Sequence, residues 1–203
     1  MESAEATINL PKSKTTTTET DGQVVESVRS PEIPKGFVPL YVSIRKESLD
    51  FVKLNGLRVR DNRMKNGAPE LEQLFSQTGK EMGIKIDRTS CVFAYPRTPD
   101  KVKLSLSFDK EKDVLLQIQA DPKDCLVADG VCYSEAGWRM SLTDGLEVAR
   151  AWAKSYWETA KPLNEYLSER HTGKGGDYDD FEFPEVLIPT DIPPERIKVV
   201  ENY

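Results

Sequence analysis

The C-terminal segment from Phe183 to Ile197 constrains the fold most. It reads FPEVLIPTDIPPERI, a short apolar run that starts after the acid Glu185 and is stopped by prolines. Apolar residues bounded by proline are typical of a strand, and a charge at the start with a proline at the end is common in edge strands. The segment therefore predicts a strand late in the chain, with Glu185 at its entry.

Length and charge limit the classes of protein that this chain can form. A chain of 203 residues is long enough for one domain with a hydrophobic core, and its net charge of -6 argues against a broad basic surface for nucleic acid. Residues 1–35 are polar and Thr-rich without apolar periodicity, which predicts a disordered tail followed by one domain over residues 36–203. No apolar run reaches membrane-spanning length, so we expect no membrane partner and a cytoplasmic location.

The three cysteines have an odd number and lack the paired spacing of zinc sites, so we expect reduced thiols and no metal. Cys91 and Cys125 lie in apolar segments and are predicted to be small core residues. The single histidine, His171, lies in a Gly-rich stretch, so a Cys–His catalyst is not expected.

Four aromatic residues at helical spacing are also predicted to be core: Trp138, Trp152, Tyr156 and Trp157.

Periodicity predicts strands and helices in mixed order, which is the α+β class. A helix over residues 48–54 should end at Asn55-Gly56, and Pro162 should split or kink the long helical stretch 142–167. The Asp129-Gly130 pair is interpreted as a cap rather than as part of a site. The other predicted elements are strands at 37–44, 102–108, 114–118 and 125–131 and an amphipathic helix at 70–82.

Two upstream segments add to the C-terminal strand. Residues 40–57, LYVSIRKESLDFVKLNGL, predict a strand, a helix and a glycine stop, and residues 91–99, CVFAYPRTP, predict a strand that ends in a turn presenting Arg97. In this order, the three segments resemble the ADP-ribosyltransferase fold, most closely the DarT-type toxins that modify bases of single-stranded DNA. The resemblance spans roughly residues 38–200.

The resemblance implies mixed or antiparallel sheets with flanking helices and a NAD-dependent mono-ADP-ribosyltransferase. Its acceptor would be a nucleobase of single-stranded DNA or another nucleic acid, or a protein side chain, and an antitoxin would be a partner. Cleavage of NAD passes through a cationic, oxocarbenium-like transition state that a carboxylate stabilises. Glu185 matches the catalytic position, which the family pattern makes solvent-accessible, and Arg97 matches a contact to the acceptor or to phosphate. The candidates for NAD binding are Tyr41, Ser43, Arg45 and Tyr95.

The first strand departs from the family pattern. The family has a histidine that holds the NAD ribose directly after the tyrosine, whereas this chain has Val42 after Tyr41. Valine has no donor, so either Ser43 or Arg45 replaces the contact or NAD binding is lost. Two alternatives follow: a catalytically inactive ADP-ribosyltransferase-like binding or regulatory protein, and a phosphotransferase of the same superfold that acts on an RNA 2′-phosphate.

Overall fold

The computed structural model describes residues 36–59, 68–97, 109, 111–142, 145–171, 181 and 183–200. These residues all belong to one compact unit, Ile33–Tyr203. The predicted tail over residues 1–35 and the predicted strand over residues 102–108 lie outside the described residues.

Within the described residues, seven strands and five helices follow one another in mixed order, and both sheets are antiparallel, so the predicted α+β class is confirmed. The strands are β1 (Val38–Arg45), β2 (Val92–Ala94), β3 (Asp113–Ala120), β4 (Leu126–Asp129), β5 (Lys161–Pro162), β6 (Pro184–Ile188) and β7 (Ile197–Val199). The helices are α1 (Leu49–Asn55), α2 (Pro69–Glu81), α3 (Gly130–Met140), α4 (Gly145–Thr159) and α5 (Leu163–His171). Short 3-10 turns cover Lys46–Ser48, Arg88–Ser90 and Pro194–Arg196.

The strands form two antiparallel sheets with the orders β1-β3-β7 and β2-β6-β4-β5. The sheets meet where Tyr41 of β1 lies opposite Tyr95, just after β2, and the two backbones exchange both hydrogen bonds at 2.8 Å. Paired residues of antiparallel strands project to the same face. The bridge therefore fixes which residues of the two sheets share a face.

Glycine and proline end the helices where the sequence predicts. Gly56 follows α1 with a φ of 76°, and a Cβ there would lie 2.1 Å from the carbonyl oxygen of Ile192, so only glycine fits. Leu57 then bridges Ile192 and returns the chain to the core. Pro162 separates α4 from α5, which confirms the predicted split.

Two hydrophobic clusters lie on opposite faces of the second sheet. The first cluster holds Val186 and Ile188 together with side chains of β1, β3 and α5. The second cluster holds Leu187 and packs the other face of the sheet against α2, α3 and α4. Trp157 of α4 joins the helices of this layer by donating from its indole Nε1 to the carbonyl oxygen of Phe75 at 2.7 Å.

The segment around Asp129 differs from the prediction. A strand over residues 125–131 was expected, but β4 ends at Asp129 and α3 starts at Gly130. The Asp129 side chain accepts a hydrogen bond from the Val131 amide at 3.0 Å and caps α3, which confirms the interpretation of this residue as a cap. The prediction of Trp138 as a core residue is wrong, because this side chain is 56% exposed near the end of α3.

Candidate functional site

Four polar side chains from distant parts of the chain meet inside the second layer. Arg88 comes from the 3-10 turn before β2, Glu72 from α2, Tyr156 from α4 and Glu185 from β6. Their exposed fractions are 0%, 1%, 0% and 2%. We call this group the buried polar cluster. Charged side chains are almost never buried this completely unless they are paired.

The turn that carries Arg88 is anchored on both sides of this residue. The Asp87 carboxylate accepts hydrogen bonds from the Thr89 amide at 3.0 Å and from the hydroxyls of Thr89 and Ser76, each at 2.7 Å. Burial would raise the pKa of Asp87, but these hydrogen bonds outweigh it and lower the pKa. Because Asp87 and Thr89 are held near α2, the Arg88 side chain between them is directed into the interior.

Arg88 bonds both carboxylates of the cluster. Its Nε donates to Glu72 Oε2 at 2.9 Å, and its Nη1 donates to Glu185 Oε1 and to the Tyr156 hydroxyl. Tyr156 in turn donates to Glu185 Oε1 at 3.2 Å. Within the part of the chain that the structure describes, Glu72 Oε1 has no hydrogen-bond partner.

Burial and charge act in opposite directions on the arginine. Burial alone would lower the pKa of Arg88, but the negative charges of Glu185 and Glu72 outweigh it and raise the pKa. Burial also raises the pKa of the Tyr156 hydroxyl well above its ordinary value, although Arg88 opposes this shift. Arg88 is therefore a permanent cation and Tyr156 a neutral hydroxyl in the folded protein.

Aromatic rings surround the guanidinium. Its central carbon lies 4.2 Å from the ring centroid of Tyr133 and 4.5 Å from that of Phe93. The rings of Tyr156 and Phe75 lie at 5.0 and 5.5 Å. The negative faces of aromatic rings attract a cation, most strongly where water is excluded, so they offset part of the cost of burying Arg88.

Glu185 lies on the helix-covered face of β6. Val186 and Ile188 point into the first cluster, and alternation along the strand turns Glu185 and Leu187 to the opposite face. The expectation that Glu185 is solvent-accessible is wrong, because α2, α4 and the Arg88 turn cover it. Its position on a short strand after Pro184 was predicted and is confirmed.

Three of the predicted site residues stand in one row across the strands. Ala94 is paired with Val186, so the next position along this register sets Tyr95 opposite Glu185, and Tyr95 is bridged to Tyr41. Tyr41, Tyr95 and Glu185 therefore project to one face of the joined sheets. Tyr41 and Tyr95 are half-buried, and the Tyr95 ring packs edge-on against Phe183 with centroids 5.6 Å apart.

The remaining predicted residues are Ser43, Arg45 and Arg97. Alternation places Ser43 and Arg45 on the face of Tyr41, but they follow it along β1, away from the bridge to Tyr95. Both are exposed, and Arg45 Nη1 forms an ion pair with Asp113 Oδ1 at 2.9 Å. Arg97 is half-buried two residues after Tyr95.

Val42 stands where the resemblance to ADP-ribosyltransferases implies a histidine, and it points away from the row. It is buried in the first cluster, on the face of β1 opposite to Tyr41. Any side chain at this position would face the core, so the missing contact cannot be restored from Val42 without moving the strand.

The cysteines are core residues, as predicted for Cys91 and Cys125. Burial raises the pKa of Cys91 and Cys125 to about 12 and that of Cys132 to about 11, and all three are free thiols. They are therefore protonated near neutral pH and unsuited to nucleophilic attack.

Among the described residues, no group of three His, Cys, Asp or Glu side chains is placed to hold a metal ion. None of the described helices is long and apolar enough to cross a membrane.

Sequence reasoning missed Arg88 and Glu72 and assigned Tyr156 only to the core. Glu72 had a weak signal, because it shares one face of α2 with the buried residues Ser76 and Gly79 at helical spacing. Arg88 had none, since a single arginine between Asp87 and Thr89 has the appearance of an exposed turn residue.

The fold and the site together define an α+β protein with two joined antiparallel sheets and a buried polar cluster under its helical layer. No protein-family model, curated protein or solved structure matches the chain.

Proposed function

We propose that this chain is an ADP-ribosyltransferase-like binding protein that holds a nucleotide or an unpaired base without transferring ADP-ribose. One observation carries the proposal: the carboxylate in the catalytic position, Glu185, is bonded by Arg88 and Tyr156 inside the fold. A glutamate in that state differs from the catalyst that the resemblance implies.

The chemistry of NAD cleavage gives the reason. A catalytic carboxylate must touch the ribose and present a charge that is free to stabilise the developing oxocarbenium ion. The charge of Glu185 is already matched by the adjacent guanidinium, and the side chain is 2% exposed. Breaking a buried ion pair costs about 3–5 kcal/mol, which a bound ligand would have to supply. The folded ground state therefore favours binding without turnover.

The ligand surface that we propose is the half-buried pair Tyr41 and Tyr95. An aromatic side chain can stack a nicotinamide, an adenine or an unpaired base, and such stacking contributes about 1–3 kcal/mol per base. Arg97, two residues after Tyr95, adds a guanidinium suited to phosphate oxygens. The pair therefore supports binding of NAD-like dinucleotides or single-stranded nucleic acid.

Calorimetry with NAD, ADP-ribose and a single-stranded DNA oligonucleotide tests this proposal at fixed salt concentration, beside chromatography for released nicotinamide. We expect binding of at least one ligand and no nicotinamide release. Tyr95→Leu should weaken binding about tenfold or more, whereas Tyr95→Phe, which keeps the ring, should bind as the wild type does. Absence of binding to all three ligands, or equal losses in the two variants, would contradict the proposal.

The second candidate is the NAD-dependent mono-ADP-ribosyltransferase itself, with an acceptor base and an antitoxin as partners. The row of Tyr41, Tyr95 and Glu185 favours it, because the strands that carry the three family motifs are neighbours in this fold. It requires Glu185 to leave Arg88 when NAD binds. Release of nicotinamide by the wild type in the presence of single-stranded DNA, RNA or a protein acceptor would establish this candidate instead.

A further inference from the structure

Large apolar side chains are exposed where α3 turns into α4. Trp138, Leu142 and Leu146 are 56%, 47% and 59% exposed, and they follow one another at intervals of four residues. The Leu142 amide donates a hydrogen bond to the Arg139 carbonyl oxygen at 2.9 Å, and the Gly145 amide donates one to the Leu142 carbonyl oxygen at 3.0 Å. These bonds hold the three side chains at one end of the helix pair. We call Trp138, Leu142, Leu146 and the adjacent Arg139 the corner surface.

The corner surface is held on a rigid support. A Cβ on Gly145 would lie 1.9 Å from the carbonyl oxygen of Arg139. The start of α4 is therefore so close to the end of α3 that only glycine fits there. Behind it, Ala136 of α3 and Ala149 and Ala153 of α4 are fully buried in the second cluster. The two helices that carry Trp138 and Leu146 are therefore closely packed against each other.

Charges of both signs border the corner surface. The Arg139 guanidinium lies 4.2 Å from the Trp138 ring, and in the described part of the chain it forms no ion pair. Its Nε is buried without a hydrogen-bond partner among the described residues. Glu147 directly follows Leu146, is exposed, and is likewise unpaired within the described residues. Among the described residues, an unpaired cation and an unpaired anion therefore border an apolar centre, and such a surface is complementary to a copy of itself.

We propose that the corner surface is the interface of a homodimer with two-fold symmetry. Trp138, Leu142 and Leu146 pack against the same residues of a second copy, and Arg139 of each copy faces Glu147 of the other. A two-fold axis presents the same patch on both subunits, so each cation meets an anion twice. Trp and Arg are the residue types most enriched among those that dominate interface energies, and both stand in this surface.

Sedimentation velocity over a range of protein concentrations tests the interface. We expect the wild type to dimerise and Trp138→Ala to raise the dissociation constant by about 30-fold or more, as for truncation of a dominant interface residue. The matched control is Phe51→Ala on α1, because Phe51 is 54% exposed but lies outside the corner surface. This control should leave the dissociation constant unchanged, and circular dichroism should show that both variants are folded.

A charge exchange tests the pairing itself. Arg139→Glu and Glu147→Arg should each weaken dimerisation, since each homodimer then places like charges opposite one another. An equimolar mixture of the two variants should associate again, because every contact in the heterodimer joins opposite charges. A wild type that stays monomeric at all concentrations overturns the proposal. Equal dissociation constants for the wild type and Trp138→Ala, or a mixture that does not associate, overturn it as well.

Discussion

Replacing Glu185 with glutamine should destabilise this protein substantially, although the substitution keeps the size of the side chain. In a solvated catalytic glutamate the change would remove activity and leave stability almost unaltered. Here the carboxylate accepts from Arg88 Nη1 and from the Tyr156 hydroxyl at complete burial. The amide of glutamine has only one acceptor oxygen, and its NH₂ group would confront another donor of the guanidinium.

The magnitude follows from the contacts that are lost and kept. A charge-assisted hydrogen bond contributes roughly 1.5–3 kcal/mol, and breaking a buried ion pair costs about 3–5 kcal/mol. Arg88 keeps its bond of 2.9 Å to Glu72 in the variant, so the loss should be smaller than that of a whole buried ion pair and near that of one charge-assisted hydrogen bond, at about 2–3 kcal/mol. Arg88→Met should cost more, about 3–5 kcal/mol, because it leaves the carboxylates of Glu72 and Glu185 buried without their cation.

Urea unfolding monitored by tryptophan fluorescence measures these changes as shifts of the midpoint at constant slope. The matched control is Glu81→Gln, which removes an exposed ion pair with Arg150 at 3.5 Å and should cost less than about 1 kcal/mol. If Glu185→Gln were as mild as Glu81→Gln, then Glu185 would be solvated in solution. Glu185 would then be accessible to a ligand, and the proposal of binding without catalysis would be wrong.

Three further outcomes are expected. Asp87→Asn should lower stability at neutral pH, and the difference from the wild type should vanish as the pH falls below 3.8, because the folded pKa of Asp87 lies below that ordinary value and its contribution is lost only in acid. The three cysteines should resist iodoacetamide at pH 8 in the native protein and react fully in urea, since burial raises the pKa of each thiol to about 11–12. Gly56→Ala should cost several-fold more stability than Gly36→Ala in urea unfolding, because both glycines have positive φ but only at Gly56 would the new Cβ meet backbone.

The elements that local chemistry specifies were predictable. The helix α1 was found because Asn55-Gly56 ends it, and the split between α4 and α5 because proline cannot continue a helix. The helix α3 was missed because its capping residue, Asp129, is also the last residue of β4. No loop separates β4 from α3, so the apolar run of the strand continues into the first turn of the helix. Periodicity over so few residues did not separate the two elements.

The candidate site was predictable only along the strands. The register of β1, β2 and β6 brings Tyr41, Tyr95 and Glu185 into one row, and each of these residues was proposed from its own motif. The state of Glu185 was not predictable, because its cationic partner lies 97 residues earlier in a turn without any periodic signal. Long-range pairing of two charges leaves no trace in the local pattern of either.

The motif around Glu185 identifies a strand and a glutamate near its start, but not the electrostatic state of that glutamate. The sequence Pro-Glu-Val-Leu-Ile is the same whether the glutamate faces a ribose or a guanidinium. The difference depends on the side chains that cover that face of the second sheet. Here the decision lies with Arg88, which Asp87 and Thr89 hold toward the interior, and with the aromatic rings that keep water away from it. Because a buried guanidinium needs a carboxylate partner, Arg88 occupies the charge of Glu185 that the proposed catalytic role would require. In the proposed function, the position of this one turn residue is therefore the reason to favour binding over catalysis.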